Sequence, residues 1–262
     1  MSPEVLLSAM YLEDERYVDT LNIRTDCVVI NQCDREREAG ISHETPSGNI
    51  DITYVETKER GLSKSRNMAV SKAKGDICVL CDNDVEYVEG YDRIINDAFT
   101  RFADADVLIF FISRPERRKP VFDRPRRMGY LSVLKIFSPE IAFRRKSIEG
   151  IRFNELFGAG AKYCMGEENL FLYDCLKKKK KIMYIPEMIA AVRDEESTWF
   201  KGFDKRFFIS RGANYAAMSK SMSFLLMIQF AVRKRNLYAG NMKMMQALEA
   251  MFEGRREYLD LK

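Results

Sequence analysis

Short, almost uninterrupted runs of apolar, strand-favouring residues recur along the first half of the chain and alternate with helical segments. Runs of this kind are typical of parallel strands that are buried on both faces. They cover residues 5–11, 27–33, 52–57, 77–81 and 107–112. The alternation predicts an α/β fold with a mostly parallel sheet. Ligands of such sheets bind beyond the carboxyl ends of the strands.

The intervening segments carry helix signals. Residues 63–74 contain good helix formers, and Ser63 is predicted to cap that helix. Residues 91–102 place Ile, Ala and Phe side chains on one helical face. Segments 134–145 and 181–186 are predicted to add short strands. From Asn214 onward the pattern is helical and rich in Met, so the sequence predicts a helical tail.

Composition excludes several classes of protein. The 262 residues are 46% hydrophobic and 31% charged, which excludes a disordered or fibrous chain. No window approaches the roughly 18 apolar residues of a membrane-spanning helix, and the N-terminus lacks the basic region of a secretory signal. These features favour a cytoplasmic location. Cys78 and Cys81 fall in one predicted strand on opposite faces, which argues against a zinc or redox pair.

Two segments of the chain concentrate its positive charge. Residues 114–127 hold seven basic and two acidic residues, and residues 205–248 hold eight basic and no acidic residues. This asymmetry indicates surfaces that meet an anionic partner, such as phosphate groups, nucleic acid or anionic lipid. Solvated charge without a partner is the alternative. Because no stacking aromatics of an RNA-binding motif accompany the Arg run, nucleic acid is not expected.

The fourth predicted strand delivers three polar side chains to the rim of the sheet. Asp82, Asn83 and Asp84 follow its five apolar or Cys residues directly. Two carboxylates one residue apart supply hard oxygens for a divalent cation that keeps positions open for diphosphate oxygens. A polar surface turn is the alternative for so short a motif.

Residues 54–87 resemble the donor-binding half of family 2 glycosyltransferases, which have the GT-A nucleotide-diphospho-sugar transferase fold. Gly61, Ser63, Ser65, Arg66 and Asn67 fill the stretch that opens the helix before the strand with the Asp-x-Asp motif in that family. The resemblance implies that Arg66 and Asn67 lie in the donor site, Arg66 near the base or diphosphate.

The same resemblance assigns roles to three aspartates and one asparagine. Asp34, at the end of the second predicted strand, is implied to contact the nucleobase. Asp82 is implied to lie near the ribose with Asn83 beside it, and Asp84 is implied to bind Mn²⁺ or Mg²⁺ with help from Asp82. Asp194 or Glu195 are further candidate ligands.

The second half is similar to the acceptor segment of capsule and O-antigen members of the family. Gly158, Gly160 and Gly166 occupy its glycine-rich loop, and Glu167 and Glu168 stand where the family has Glu-Asp. The second acid is the family's catalytic base, so Glu168 is the candidate, with Glu167 the alternative. The similarity extends over most of residues 1–213.

The resemblance implies a donor half at about 1–112, an acceptor half at about 113–213 and a helical tail at 214–262. It implies an inverting, metal-dependent transfer from a UDP-sugar to a polyprenyl-diphosphate-linked saccharide during bacterial surface polysaccharide synthesis. A nucleotidyltransferase and a non-catalytic module that binds an anionic surface are the alternatives. A nucleotidyltransferase is expected to have a glycine-rich loop after its first strand, where this chain reads SAMYLEDER.

Within the tail, residues 224–232 are apolar on nearly every side and are followed by Arg233, Lys234 and Arg235. This pattern predicts either a helix that lies on the anionic inner face of the plasma membrane or a helix packed on protein.

Overall fold

The computed structural model describes residues 2–115, 117–193 and 202–261. They divide into two units. The first unit comprises the described residues of 2–60, 64–152 and 171–193, and it contains the whole sheet. The second comprises 61–63, 153–170 and 202–261, and it contains the C-terminal helices.

The described residues form ten strands. They are β1 (Glu4–Met10), β2 (Cys27–Gln32), β3 (Arg37–Thr45), β4 (Gly48–Thr57), β5 (Ile77–Asp82), β6 (Val85–Tyr87), β7 (Val107–Ser113), β8 (Arg126–Arg127), β9 (Ile141–Arg144) and β10 (Ile182–Val192). Their order across the sheet is β3-β4-β2-β1-β5-β9-β7-β10-β6, with β8 paired to β10.

The helices of the described residues are α1 (Tyr17–Thr20), α2 (Leu62–Lys72), α3 (Tyr91–Arg101), α4 (Glu167–Lys177), α5 (Lys205–Met218), α6 (Ser223–Arg233), α7 (Arg235–Tyr238) and α8 (Met244–Asp260). Among these residues, no helix is long and apolar enough to cross a membrane.

Four neighbouring strands, β4, β2, β1 and β5, run parallel. Their carboxyl ends therefore lie along one edge of the sheet, which we call the carboxyl edge. The register aligns Gln32 of β2 with Met10 and with Thr57, while Asp82 pairs with Ser8 of β1. Asp34 and Asp84, which the sequence assigned to a ligand site, thus follow β2 and β5, and β1 lies between these two strands.

The five predicted strands are confirmed as β1, β2, β4, β5 and β7, with small shifts at their ends. An unpredicted feature separates β5 from β7, because β9 lies between them and is antiparallel to both. Only the last part of segment 134–145 is this strand; before it the chain forms two 3-10 turns, Val133–Lys135 and Ser138–Glu140. Pro139 lacks the N–H that a strand would donate, which explains the turn.

The main core of the first unit lies between one face of the sheet and helices α1 and α3. Alternate residues of the central strands enter it, among them Val5, Leu7 and Cys81. Helix α3 contributes Ile95 and Phe99, which confirms the amphipathic pattern predicted for residues 91–102. Cys78 is buried outside this cluster, so the two cysteines of β5 do point to opposite faces.

The predicted capping role of Ser63 is wrong. Helix α2 begins at Leu62, so Ser63 already lies in its first turn. Its hydroxyl donates to the backbone oxygen of Phe157 at 2.7 Å. Ser63 therefore joins the helix start to the loop that contains Phe157.

Helices α5 and α8 approach each other through two glycines. A Cβ at Gly212 would lie 1.9 Å from the backbone oxygen of Met251, and a Cβ at Gly254 would lie 1.9 Å from that of Ile209. Side chains at these positions would force the helix axes apart, so the absence of a side chain permits the contact.

Replacing Gly212 by valine is expected to destabilise the second unit by at least about 3 kcal/mol, because the new atoms meet backbone that cannot rotate away. Urea unfolding followed by circular dichroism measures the change. Gly240→Ala is the control, since no atom lies within 4 Å of its added Cβ. Equal stability of the two variants would show that α5 and α8 separate without cost.

Candidate active site

A tyrosine, an aspartate and an arginine meet at the carboxyl edge. Asp34 follows β2 and is 81% exposed, and its Oδ1 accepts from Arg60 Nη2 at 2.7 Å and from the Tyr11 hydroxyl at 3.4 Å. The Arg60 guanidinium also lies 5.5 Å from the centre of the Tyr11 ring. The hydrogen bond to Tyr11, with a smaller contribution from Asp34, raises the pKa of Arg60 above its ordinary value. This cluster offers a flat aromatic face beside one acceptor and one cation.

Tyr11 owes its exposed position to a left-handed backbone. Its φ is 52°, which is uncommon for a residue with a side chain and ends β1 one residue earlier than predicted. The buried Asn31 holds the turn: its Oδ1 accepts from the Leu12 N–H at 2.9 Å, and its Nδ2 donates to the Leu12 oxygen and to the Tyr54 hydroxyl. Tyr11 therefore has a strained backbone that a buried side chain stabilises, at a sheet edge where ligands bind, and this makes it a functional candidate.

Arg66 and Asp82 form a second cluster at the same edge. Arg66 is only 1% exposed, and its Nη2 lies 2.8 Å from Asp82 Oδ1. A buried guanidinium needs an anion close by, so this pair fixes the Asp82 carboxylate at the end of β5. The neighbouring Ser65 hydroxyl donates to Ser8 of β1 at 2.8 Å and holds the helix on the sheet. Asn67 is also buried.

Asp84 and Asn83 lie in the turn between β5 and β6. The Asp84 backbone oxygen accepts from the Arg193 N–H at 2.8 Å, and the Asn83 backbone oxygen accepts from the Tyr17 hydroxyl at 2.9 Å. Two hydrogen bonds to its backbone thus hold the turn in place. The candidate ligands Asp194 and Glu195 lie outside the described residues.

The oxygen atoms at this turn suit a cation that is also bound by a phosphate group. The described residues contain no group of three His, Cys, Asp or Glu side chains arranged to hold a metal. Asp82 and Asp84 offer hard carboxylate oxygens, but one oxygen of Asp82 already contacts Arg66. Mg²⁺ and similar ions are commonly bound by one or two carboxylates together with substrate phosphates and water. The residues present fit that mode.

In the second unit, residues 157–166 form a loop against the start of α2. The Leu62 N–H donates to the Ala159 oxygen at 2.9 Å, and an added Cβ at Gly160 would lie 3.4 Å from Gly61 Cα. Gly166 has a φ of 88°, and its Cβ would overlap the side chain of the buried Asn214, whose Nδ2 donates to the Gly166 oxygen at 2.9 Å. These contacts explain glycine at both positions.

Glu167 and Glu168 are the first two residues of α4. Glu167 is 4% exposed, and its carboxylate lies 3.2 Å from the position that a Cβ would take at Gly158. Glu168 is partly exposed. Glu168 can therefore be reached by a substrate, whereas Glu167 is packed under the glycine loop.

The basic segment 114–127 is anchored at its start. Arg117 forms an ion pair with Glu140, which is completely buried, and Arg114 lies 4.8 Å above the Phe137 ring. Burial raises the pKa of Glu140 to about 7, although Arg117 opposes the shift. These two arginines have a structural role.

The remainder of the segment is open to solvent. Residues 121–126 line a cleft of about 440 Å³. The Phe122 ring lies 4.4 Å from the Arg126 guanidinium and 5.3 Å from Lys135 Nζ. Arg118, Lys119 and Arg124 are exposed. This part of the segment presents cations around an aromatic ring.

The structure therefore brings several of the predicted site residues together. Asp82 and Arg66 are in direct contact, and Asp34 lies along the same edge of the sheet. Tyr11 and Arg60 are additional members that sequence reasoning missed. An aromatic residue at the carboxyl end of β1 was the available signal for Tyr11, because ligands of α/β sheets bind at that edge.

Comparison with protein families identifies one similarity. The model of the family described as glycosyl transferase family 2 matches residues 17–162, more than half of the chain. No curated protein matches the sequence.

Similar solved structures include S. aureus TarS 1-349, with a TM-score of 0.63 and 15% identity over 99% of this chain and 82% of that chain. The same fragment in complex with UDP-GlcNAc has a TM-score of 0.63 and 16% identity, covering 100% and 83% of the two chains. A longer TarS structure has a TM-score of 0.62 and 16% identity, and covers all of this chain and 50% of its own. These likenesses confirm the GT-A fold.

Proposed function

Because the chain belongs to glycosyltransferase family 2, we propose that it transfers a sugar from a UDP-sugar to a hydroxyl group of a lipid-linked saccharide, with inversion at the anomeric carbon. The observation that carries the proposal is the pairing, along one sheet edge, of the Tyr11–Asp34–Arg60 cluster with the Arg66–Asp82 pair. The Tyr11–Asp34–Arg60 cluster suits a pyrimidine base. The Arg66–Asp82 pair lies at the part of the edge where carboxylates and a cation could bind the ribose and the diphosphate.

The base is recognised by stacking and by hydrogen bonding. The exposed Tyr11 ring offers a stacking face, and the Asp34 carboxylate is an acceptor for the N3–H of uracil. Cytosine has no proton at N3, so this acceptor favours uracil. That S. aureus TarS has been solved with UDP-GlcNAc is consistent with a UDP-sugar donor on the same fold.

Tyr11→Ala is expected to raise the Kd for UDP by about 5- to 150-fold, because stacking on an aromatic residue contributes about 1–3 kcal/mol per base. Tyr11→Phe keeps the stacking face and is expected to lose less. Isothermal titration calorimetry measures both. Tyr130→Ala, which removes another exposed tyrosine, is the control. Equal UDP affinity in Tyr11→Ala and wild type would place the base elsewhere.

Asp84, with Asp82 beside it, would hold a divalent cation, Mn²⁺ or Mg²⁺, which would offset the negative charge of the leaving diphosphate. Asp82 is oriented by Arg66, and Asp84 lies two residues further along the same turn. Asn83 and Asn67 belong to the same donor site in this proposal.

Glu168 is the general base of the transfer. The acceptor hydroxyl oxygen attacks the anomeric carbon, and its proton passes to the Glu168 carboxylate. The bond between the anomeric carbon and the diphosphate oxygen breaks, and UDP leaves with the electron pair. The partial exposure of Glu168 supports this role over the buried Glu167. No covalent intermediate with the protein is needed.

The acceptor is a saccharide linked to a polyprenyl diphosphate. The solvent-exposed cations around Phe122 are suited to bind an anionic group on the acceptor, because guanidinium groups match phosphate oxygens. The reaction belongs to the synthesis of a bacterial surface polysaccharide such as capsule or O-antigen. It takes place at the cytoplasmic face of the inner membrane, where a lipid-linked acceptor and cytoplasmic nucleotide sugars meet.

The proposal is tested by measuring UDP release from a panel of UDP-sugars with a synthetic polyprenyl-diphosphate saccharide, in Mn²⁺, in Mg²⁺ and in EDTA. UDP release with a matching glycosylated lipid is expected in the presence of either metal and is expected to stop in EDTA. Pyrophosphate release from UTP and a sugar phosphate would instead identify a nucleotidyltransferase. If calorimetry detects no binding of UDP or UDP-sugars, the chain is not acting on nucleotide sugars.

A further inference from the structure

Helix α6 carries a row of apolar side chains on its outer surface. Leu225, Ile228 and Val232 are 59%, 48% and 59% exposed. They are three and four residues apart, so they lie along one stripe of the helix. Met222 and Phe224, at the N-terminal end of α6, and Leu237, which follows the helix, are also exposed apolar side chains. We call these six side chains the α6 surface.

The opposite face of α6 is fixed within the second unit. Leu226, Met227 and Ala231 are buried. At the start of the helix, the Ser223 hydroxyl accepts from Arg255 Nε of α8 at 2.9 Å. The helix therefore has a defined orientation, and its outer row is not an unfilled part of the core.

Basic residues flank the α6 surface along the chain. Arg233, Lys234 and Arg235 are exposed directly after the apolar row, and Lys220 and Lys243 lie on either side of the segment. Within the described residues, none of these five cations forms an ion pair. No acidic residue occurs between positions 205 and 248. The surface thus combines exposed apolar area with flanking cations that form no ion pair among the described residues.

We propose that the α6 surface docks on the headgroup region of an anionic lipid bilayer. Apolar side chains beside Lys and Arg are the combination that binds an interfacial helix to anionic lipid. A second copy of the chain is a poorer partner, because a symmetric contact would bring the same cations against each other. The inference rests on the part of the proposed function that puts the acceptor on a membrane lipid.

Sedimentation of the whole protein with vesicles tests the inference without any enzymatic readout. One set contains phosphatidylcholine with 30% phosphatidylglycerol, and the other contains phosphatidylcholine alone. Binding is expected for the anionic set and is expected to weaken as salt rises. Equal binding to the two sets, or binding to neither, would overturn the proposal.

Two variants separate the contributions of charge and apolar area. Arg233→Gln, Lys234→Gln and Arg235→Gln together are expected to lower the vesicle partition coefficient by roughly fivefold for each charge removed. Leu225→Ser, Ile228→Ser and Val232→Ser together are expected to abolish binding without lowering Tm, since these side chains are exposed. The control is Lys177→Gln, Lys178→Gln and Lys179→Gln, which removes the same charge from another surface.

The outcome is distinguishable from failure of the proposed reaction. UDP binding by calorimetry is expected to be unchanged in both variants, because the α6 surface shares no residue with the Tyr11–Asp34–Arg60 cluster or the Arg66–Asp82 pair. If the control triple lowers vesicle binding as much as the α6 charge variant, net charge alone is responsible and the proposed surface is wrong. A dimer in light scattering that disappears with the serine variant, without vesicle binding, would assign the surface to self-association.

Discussion

Replacing Glu168 by glutamine is expected to reduce sugar transfer by about 10²–10⁴-fold, the usual contribution of a general base. Glutamine retains the size of the side chain and its position in the first turn of α4, but it cannot take the proton of the acceptor hydroxyl. UDP affinity is expected to stay at the wild-type value, because the substitution changes neither the Tyr11–Asp34–Arg60 cluster nor the Arg66–Asp82 pair. Initial rates of glycosylated-lipid formation measure the first effect, and calorimetry measures the second.

Glu167→Gln is the matched comparison one residue earlier. Its side chain is packed beside Gly158, so the substitution is expected to lower Tm more than Glu168→Gln does, while the folded protein retains transfer. Asp174→Asn, on the same helix and at the surface, controls for loss of one carboxylate. The assignment of the base is reversed if Glu167→Gln loses transfer at unchanged Tm while Glu168→Gln remains active.

The parallel half of the sheet could be predicted because its strands are buried on both faces. Burial on both faces makes each strand a continuous apolar run, as in β2 and β5. The edge strand β3 has no such run: its residues are mostly exposed, and it is held by antiparallel pairing with β4. Its sequence resembles a polar loop, since one strand at an edge needs few apolar contacts. The antiparallel β9 depends on pairing with distant segments, which local patterns do not reveal.

The part of the candidate site that could be predicted consists of residues that are close together in the sequence. Asp82 and Asp84 follow a strand directly, and Arg66 is part of a motif. Tyr11 and Arg60 were missed because they meet Asp34 only after three strands align their ends. The choice between Glu167 and Glu168 depends on burial, and burial follows from the path of the glycine loop.

Asp84→Asn is expected to reduce transfer by at least about 100-fold and to make UDP binding insensitive to Mn²⁺. Asparagine has nearly the same shape, but it lacks the negative charge that a divalent cation requires. The turn is expected to keep its conformation, because the hydrogen bond from Arg193 ends on the Asp84 backbone oxygen. Calorimetric titration of UDP with Mn²⁺ and with EDTA measures the metal dependence in each protein.

Two other aspartates provide comparisons for the effect of an Asp-to-Asn change on stability. Asp82→Asn removes the charge of one carboxylate that contacts the buried Arg66, so we expect stability to fall by about 1–3 kcal/mol; the loss is less than for a fully buried pair because Asp82 is 20% exposed. Asp97→Asn, on the exposed side of α3, is expected to change neither stability nor transfer. If Asp84→Asn loses transfer only in proportion to a fall in Tm, its effect is structural. If it keeps a Mn²⁺-dependent UDP affinity, the cation is bound by other residues.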